Sequence, residues 1–185
     1  MTDLAVKEAT YQDIIDLPDT LVGEIVHGQL ETHPRPAPKH AVAASSLGFE
    51  LGSPFHKGRG GSGGWWILDE PECHLGDHVL VPDLAGWRRE RMPSLPETAW
   101  FEIIPDWICE ILSPSTARVD RILKMPNYTE LGVAYLWLID PDLETLECYE
   151  LQNDRWVLSG SFSEQSVVAA APFAEHTFSL SELWE

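Results

Sequence analysis

The sequence predicts a mixed α/β (α+β) domain in which a central mixed sheet is flanked by helices. Three observations lead there. Candidate elements run in the order helix, hairpin, helix, strands, helix, strands, a pattern that suits a sheet covered by helices. The strand-like runs are strongly apolar, as expected of buried strands. The 185 residues fit one domain, residues 1–185, large enough to bury a core without disulfides or metal staples.

The elements follow in chain order. Residues 10–17 read as a short helix with Thr10 as N-cap and Asp13 in the first turn, ended by Pro18. Residues 23–31 read as two short strands turning at His27-Gly28. The prolines at 34, 36 and 38 break the chain, and the spacing of Val42, Ala43, Leu47 and Leu51 predicts a helix over 39–51. Residues 58–64 are a glycine-rich connector; they lack the Lys-Ser/Thr of a phosphate-binding P-loop and follow no strand. Strands are expected at 65–68, 78–81 and 107–112, with a loop over 88–105. Residues 115–131 read as helical with Pro126 interrupting the helix, and 133–139 as a very apolar strand. Two further strands at 145–151 and 156–159 form a meander, and Ser179 with Glu182 matches a capping box opening a final helix.

Composition narrows the function classes. Three scattered cysteines, Cys73, Cys109 and Cys148, argue against a disulfide framework. Cys73 with His74 and His78 offers metal-ligand types, but no second Cys/His cluster completes a zinc site. The start of the chain lacks the basic and apolar regions of a signal peptide, and no apolar run reaches the roughly 20 residues of a membrane span. The expectation is a cytoplasmic protein with no membrane partner. The net charge of −18 argues against a broad nucleic-acid surface, which rests on Lys and Arg. A small basic cleft stays open, with Arg88, Arg89, Arg91, Arg118, Arg121 and Lys124 as the cations near the motifs below. Trp87 and Trp100 flank the arginines, where they either pack or stack on bases.

Three stretches carry candidate chemistry. In Val79-Leu80-Val81-Pro82-Asp83 an aspartate sits at the end of an apolar strand. In Trp107-Ile108-Cys109-Glu110-Ile111-Leu112 a glutamate interrupts one. Asp120-Arg121-Ile122-Leu123-Lys124 lies on the helix that follows. Taken singly, Asp83 reads as a turn residue, and Glu110 as a solvent-facing residue or an arginine partner. A carboxylate inside an apolar strand needs a cation or a metal ion. Two of them on adjacent strands form an oxygen-rich pocket suited to magnesium or manganese.

Pro82-Asp83 followed by Glu110-Ile111-Leu112 resembles the motif of the PD-(D/E)XK nuclease superfamily. More closely, the chain resembles the family of putative restriction endonucleases of unknown specificity. The similar segments begin at Gly23-Glu24-Ile25-Val26-His27-Gly28-Gln29-Leu30 and continue through His40 and Val81-Pro82-Asp83. They go on with Glu110-Ile111-Leu112-Ser113-Pro114-Ser115, Asp120, Lys124 and Tyr128, and close on residues 132–141. Leu112 departs from the superfamily pattern, standing where a lysine belongs. The family supplies that lysine from the next helix, and Lys124 is the only lysine after Lys57. The alternative for Lys124 is a solvated helix residue pairing with Asp120 four positions earlier.

The resemblance implies a restriction-endonuclease-like core and metal-dependent phosphodiester hydrolysis. Asp83, Glu110 and Lys124 would be catalytic. Asp83, Glu110, the carbonyl of Ile111 and Glu24 would hold one or two Mg2+ or Mn2+ ions. His40, Ser113 and Arg121 would contact nucleic acid, DNA foremost, in a possible homodimer. Lys124→Ala is expected to abolish activity while sparing folding. The competing reading, favoured by the acidic charge, is a catalytically inactive nucleic-acid- or protein-binding module on the same fold.

Overall fold

A computed structural model describes residues 8–185. The expectation about the leader at the start of the chain falls largely on residues 1–7, outside the described residues. Among the described residues no helix is long and apolar enough to cross a membrane.

Helix α1 (Tyr11–Ile15) opens the fold, and the Thr10 backbone N–H donates to Asp13 Oδ2 at 2.7 Å. Strands β1 (Leu21–Val26) and β2 (Gln29–Pro34) form the expected hairpin, with His27 and Gly28 both at positive φ in the turn. Helix α2 (Pro38–Leu51) runs into a π-helical turn, Gly52–His56. Next come β3 (Trp65–Asp69), β4 (Cys73–Leu75), β5 (His78–Leu80), β6 (Leu84–Arg88) and β7 (Trp107–Ile111). A helical run follows in three parts: α3 (Ala117–Val119), a π-helical segment (Asp120–Lys124) and α4 (Met125–Leu131). The chain ends through β8 (Tyr135–Asp140), β9 (Thr145–Gln152), β10 (Arg155–Ser163), the short pair β11 (Val167–Val168) and β12 (Phe178–Ser179), and a 3-10 turn, Leu180–Trp184.

The central sheet is mixed and six-stranded, in the order β10-β9-β8-β7-β6-β3. Only β7 and β8 pair in parallel, which requires a crossover; residues 112–134, carrying the helical run, supply it. A second, four-stranded sheet has the order β2-β1-β5-β4. The core divides along the faces of the central sheet. Trp107, Cys109 and Ile111 of β7 join α2 and the C-terminal segment in one cluster. Ile108 joins the small sheet and Tyr128 of α4 in the other, as does Leu112 just beyond β7. Glu110 therefore shares the face of Ile108 and Leu112, because side chains alternate along a strand.

Several expectations need correction. Strands β4 and β6 carry no sequence signal and are additions to the expected elements. β4 is too short to show a period, and β6 (Leu-Ala-Gly-Trp-Arg) is buried throughout most of its length, so it shows no alternation. The Ser179 capping box does not form: the Ser179 hydroxyl bonds Ser181 Oγ at 2.8 Å, and the final turn is 3-10 rather than α. Trp87 is fully buried, stacked on Phe101 with ring centroids 4.7 Å apart, so it is unavailable to bases. Pro126 does not stop the helix. A proline ring crowds the carbonyl four residues back and offers no N–H. The π-helical segment widens the helix immediately before it, with Met125 N–H donating to the Asp120 carbonyl five residues back.

Phe173 ties the first core cluster together, its ring 4.6 Å from Phe55, 4.9 Å from Trp65, 5.1 Å from Trp107 and 5.8 Å from Trp137. Phe173→Ala is expected to lower the unfolding free energy by about 3–5 kcal/mol, read from urea denaturation. A loss under about 1 kcal/mol would mean that this hub carries little of the core.

Candidate active site

Asp83 does not close the strand before it. β5 ends at Leu80, and Asp83 immediately precedes β6. β6 pairs antiparallel with β7 in the register Leu84 to Cys109, which brings Asp83 alongside Glu110 on the same face. The Ile111 backbone N–H donates to Asp83 Oδ2 at 2.6 Å. His40, in the first turn of α2, places Nε2 3.1 Å from Asp83 Oδ1. Both oxygens of Asp83 are thus held, one by a backbone amide and one by an imidazole. Burial disfavours a charged His40 ring, but the bond to Asp83 and the charges of Asp83, Glu70 and Asp120 outweigh it. Its pKa is raised above the ordinary value.

Lys124 closes the π-helical segment and is only 2% exposed. Its Nζ lies 2.8 Å from Glu110 Oε1, 2.9 Å from Glu24 Oε1 and 3.7 Å from Asp120 Oδ1. The contact to Asp120 is the helical pair foreseen from the spacing, but it is buried rather than solvated. Tyr128, one turn further along, donates its hydroxyl to Glu110 Oε1. Glu24 Oε1 also accepts the Val81 backbone N–H at 2.7 Å. Burial opposes the ammonium charge, yet Glu110 and Glu24 overcome it and hold the Lys124 pKa well above its usual range. Desolvation pushes the Glu110 and Asp120 carboxyls upward, against the pull of Lys124. One cation serves three buried acids, so the cluster has carboxylate capacity to spare.

A pocket of about 230 Å³ opens over these groups. Asp83, Glu110, Lys124, His40 and Ser113 line it. Glu24 does not line it, but reaches its edge: the carboxylate anchors Lys124 and the Val81 amide through Oε1. Arg121 does not line it either. Its guanidinium pairs with Glu147 at 2.8 Å. Arg88, Arg89 and Arg91 do not form a basic cleft at the pocket. Arg88 lies over the Trp65 ring and Arg89 over Trp66, 4.6 and 3.8 Å from the centroids, while Arg91 pairs with Asp106 at 2.7 Å. Arg88 ends β6, roughly 16 Å along the strand from Asp83. Trp100 stacks on His74 at 4.6 Å. Tyr128 was quoted only as part of the family pattern. Its position four residues after Lys124, on the same helical face, is the signal that would have assigned it.

The donor set bears on a metal. Among the described residues no three His, Cys, Asp or Glu side chains converge at metal-ligand spacing. Two carboxylates, Asp83 and Glu110, do face one pocket. The short contacts of Tyr128 and Lys124 both fall on Glu110 Oε1, leaving Oε2 outside those bonds. Magnesium is commonly held by one or two carboxylates with waters completing its shell, and this hard-oxygen set fits magnesium or manganese. It does not fit a zinc site built from Cys and His; Cys73 is buried, its pKa pushed up to about 12 by desolvation.

The burial of Lys124 revises the expectation that its removal spares folding. Lys124→Ala is expected to cost about 3–5 kcal/mol, because it strands buried acids without a cation; thermal denaturation with a Tm near wild type would contradict the ion-pair geometry. The His40 contribution has a defined pH sense. Its folded pKa is raised, so the stabilisation is complete below the ordinary value of 6.5 and is lost as pH rises through the folded value. The stability gap between wild type and His40→Ala, about 1.5–3 kcal/mol for a charged hydrogen bond at low pH, is expected to shrink with rising pH in urea titrations. A gap that widens would reverse the assignment of charge to His40.

No curated protein matches the chain. A crystal structure of a putative nuclease belonging to DUF820, from Anabaena variabilis ATCC 29413, is similar at 29% identity and a TM-score of 0.74, covering 95% of this chain and 97% of that one. Residues 10–181 match the family Uma2, described as "Putative restriction endonuclease". With nearly its whole length matched, the chain belongs to the Uma2 family of putative restriction endonucleases.

Proposed function

We propose that this protein is a metal-dependent nuclease that hydrolyses phosphodiester bonds in nucleic acid, with DNA as the expected polymer. The observation that carries the reading is the convergence of Asp83 and Glu110 on one face of neighbouring β-segments, with Lys124 Nζ 2.8 Å from Glu110. Family membership and the similarity to a putative nuclease support the same chemistry.

Asp83, Glu110 and the Ile111 carbonyl would hold a magnesium or manganese ion, which supplies Lewis acidity for a bound water and for the phosphate. Asp83 is fixed in orientation by the Ile111 N–H and His40, so its carboxylate needs little reorganisation. Tyr128 and Lys124 fix Glu110 through Oε1. Lys124, anchored by Glu24, places a permanent positive charge at the pocket wall, where negative charge grows on the phosphorus oxygens as water attacks. Hydrolysis forms the bond from water oxygen to phosphorus and breaks the bond to the leaving sugar oxygen. His40 is poised to exchange a proton near Asp83, since its ring is the titratable group beside that carboxylate.

The test uses purified protein with Mg2+, Mn2+ or EDTA and labelled DNA. Cleavage is expected with the ions and not with EDTA. Asp83→Asn and Glu110→Gln, which preserve shape, are expected to lose a factor of about 100 or more in rate. Cleavage unaffected by Asp83→Asn would remove the pocket from the chemistry. No cleavage under any ion, with nucleic acid still bound, would favour the inactive binding module.

A further inference from the structure

We infer that the pocket takes a nucleotide whose base has left the stack, so that the substrate is a single strand or a strand end rather than an intact duplex. The inference rests on the nuclease reading above. Three independent features of the site point to it.

The first is burial. Glu110 and Lys124 are each 2% exposed, and the space above them is about 230 Å³, below the roughly 300–1,000 Å³ of sites that hold drug-sized ligands. The extended segment 33–37 and the turn 113–116 both line it. A base held in a duplex stack cannot enter such a space, whereas a nucleotide of a flexible strand can.

The second is the chemistry of the walls. Beside the carboxylates the pocket is lined by Val22, Pro34, Pro36, Val81 and Pro114. Duplex recognition through the backbone uses cations, amides and hydroxyls, and would leave such an apolar wall without a partner. An unstacked base has two apolar faces and needs one. Polar groups are present where one phosphate would lie: the hydroxyls of Ser113, Ser115 and Thr116 form a linked set at 2.9–3.1 Å.

The third is charge. Affinity for a duplex rests on many phosphate contacts made by Lys and Arg. The chain carries −18, and two of the cations around the site are paired with acids while Arg35, at the pocket wall, is tied to a carbonyl. Lys39 pairs with Asp142 at 3.0 Å, Arg121 with Glu147, and Arg35 Nε donates to the Asp19 carbonyl at 3.1 Å. A surface of this kind repels the dense charge of a duplex and tolerates a short segment neutralised by a bound cation.

The experiment compares three fluorescent DNAs of one sequence with Mn2+: a single strand, a blunt duplex, and a duplex with a single-stranded extension. The single strand and the extension are expected to be cut about a hundredfold faster than the blunt duplex, a ratio set by the cost of unpairing and unstacking a nucleotide. Cuts in the third substrate are expected within or at the edge of the extension. Asp83→Asn is expected to abolish cutting of all three, tying it to this pocket. Internal cutting of the blunt duplex at an equal or greater rate overturns the inference and leaves the nuclease reading standing. Cutting of none of the three overturns both.

Discussion

The buried ammonium of Lys124 is the interaction on which the arrangement depends. It joins Glu24 of β1, Glu110 of β7 and Asp120 of its own helix. The small sheet, the central sheet and the crossover helix meet at this one point. A buried charge of this kind survives only when its partners are close and numerous, so the three elements are held to a narrow range of relative positions. Asp83 is then set by the backbone, since its partner Ile111 is the residue after Glu110 on the same strand.

The strongly acidic character of the chain takes on a specific meaning around this cluster. Acidic groups are packed inward toward Lys124 and His40, while Arg88 and Arg89 lie on tryptophan faces, Arg89 also bonds carbonyl oxygens, and Arg121 pairs with Glu147. The local excess of carboxylate over cation makes the pocket a sink for positive charge. The proposed divalent ion answers that imbalance, and it also supplies the phosphate affinity that the protein surface lacks.

Much of the fold was legible because periodicity and punctuation agreed. The β1 and β2 hairpin was announced by His27-Gly28 between apolar residues, and α2 by the spacing of Ala43, Leu47 and Leu51. The elements that escaped were those without a period: β4, with three residues, and β6, buried at four of its five positions. In the site, Asp83 and Glu110 stood out because a carboxylate within an apolar stretch demands a partner. Lys124 stood out through the family pattern and as the only lysine downstream of Lys57. What the sequence left hidden were partnerships decided in three dimensions. Nothing local distinguishes Arg121, which pairs with Glu147 of β9, from an arginine that faces the pocket. Nor does a local signal show that Glu24 serves the lysine.

The cluster around Lys124 also bears on when the site comes into being. Glu24 and Glu110 are far apart along the chain, and the loop between them must close before the ammonium can be sheltered. Until then its helix has no reason to bury a lysine, and each acid keeps its water. The geometry of the pocket therefore depends on the docking of the two sheets. A nascent or partly opened chain holds the same residues yet lacks their arrangement, so local opening of the β1 and β2 hairpin would dismantle the pocket while the central sheet stayed intact.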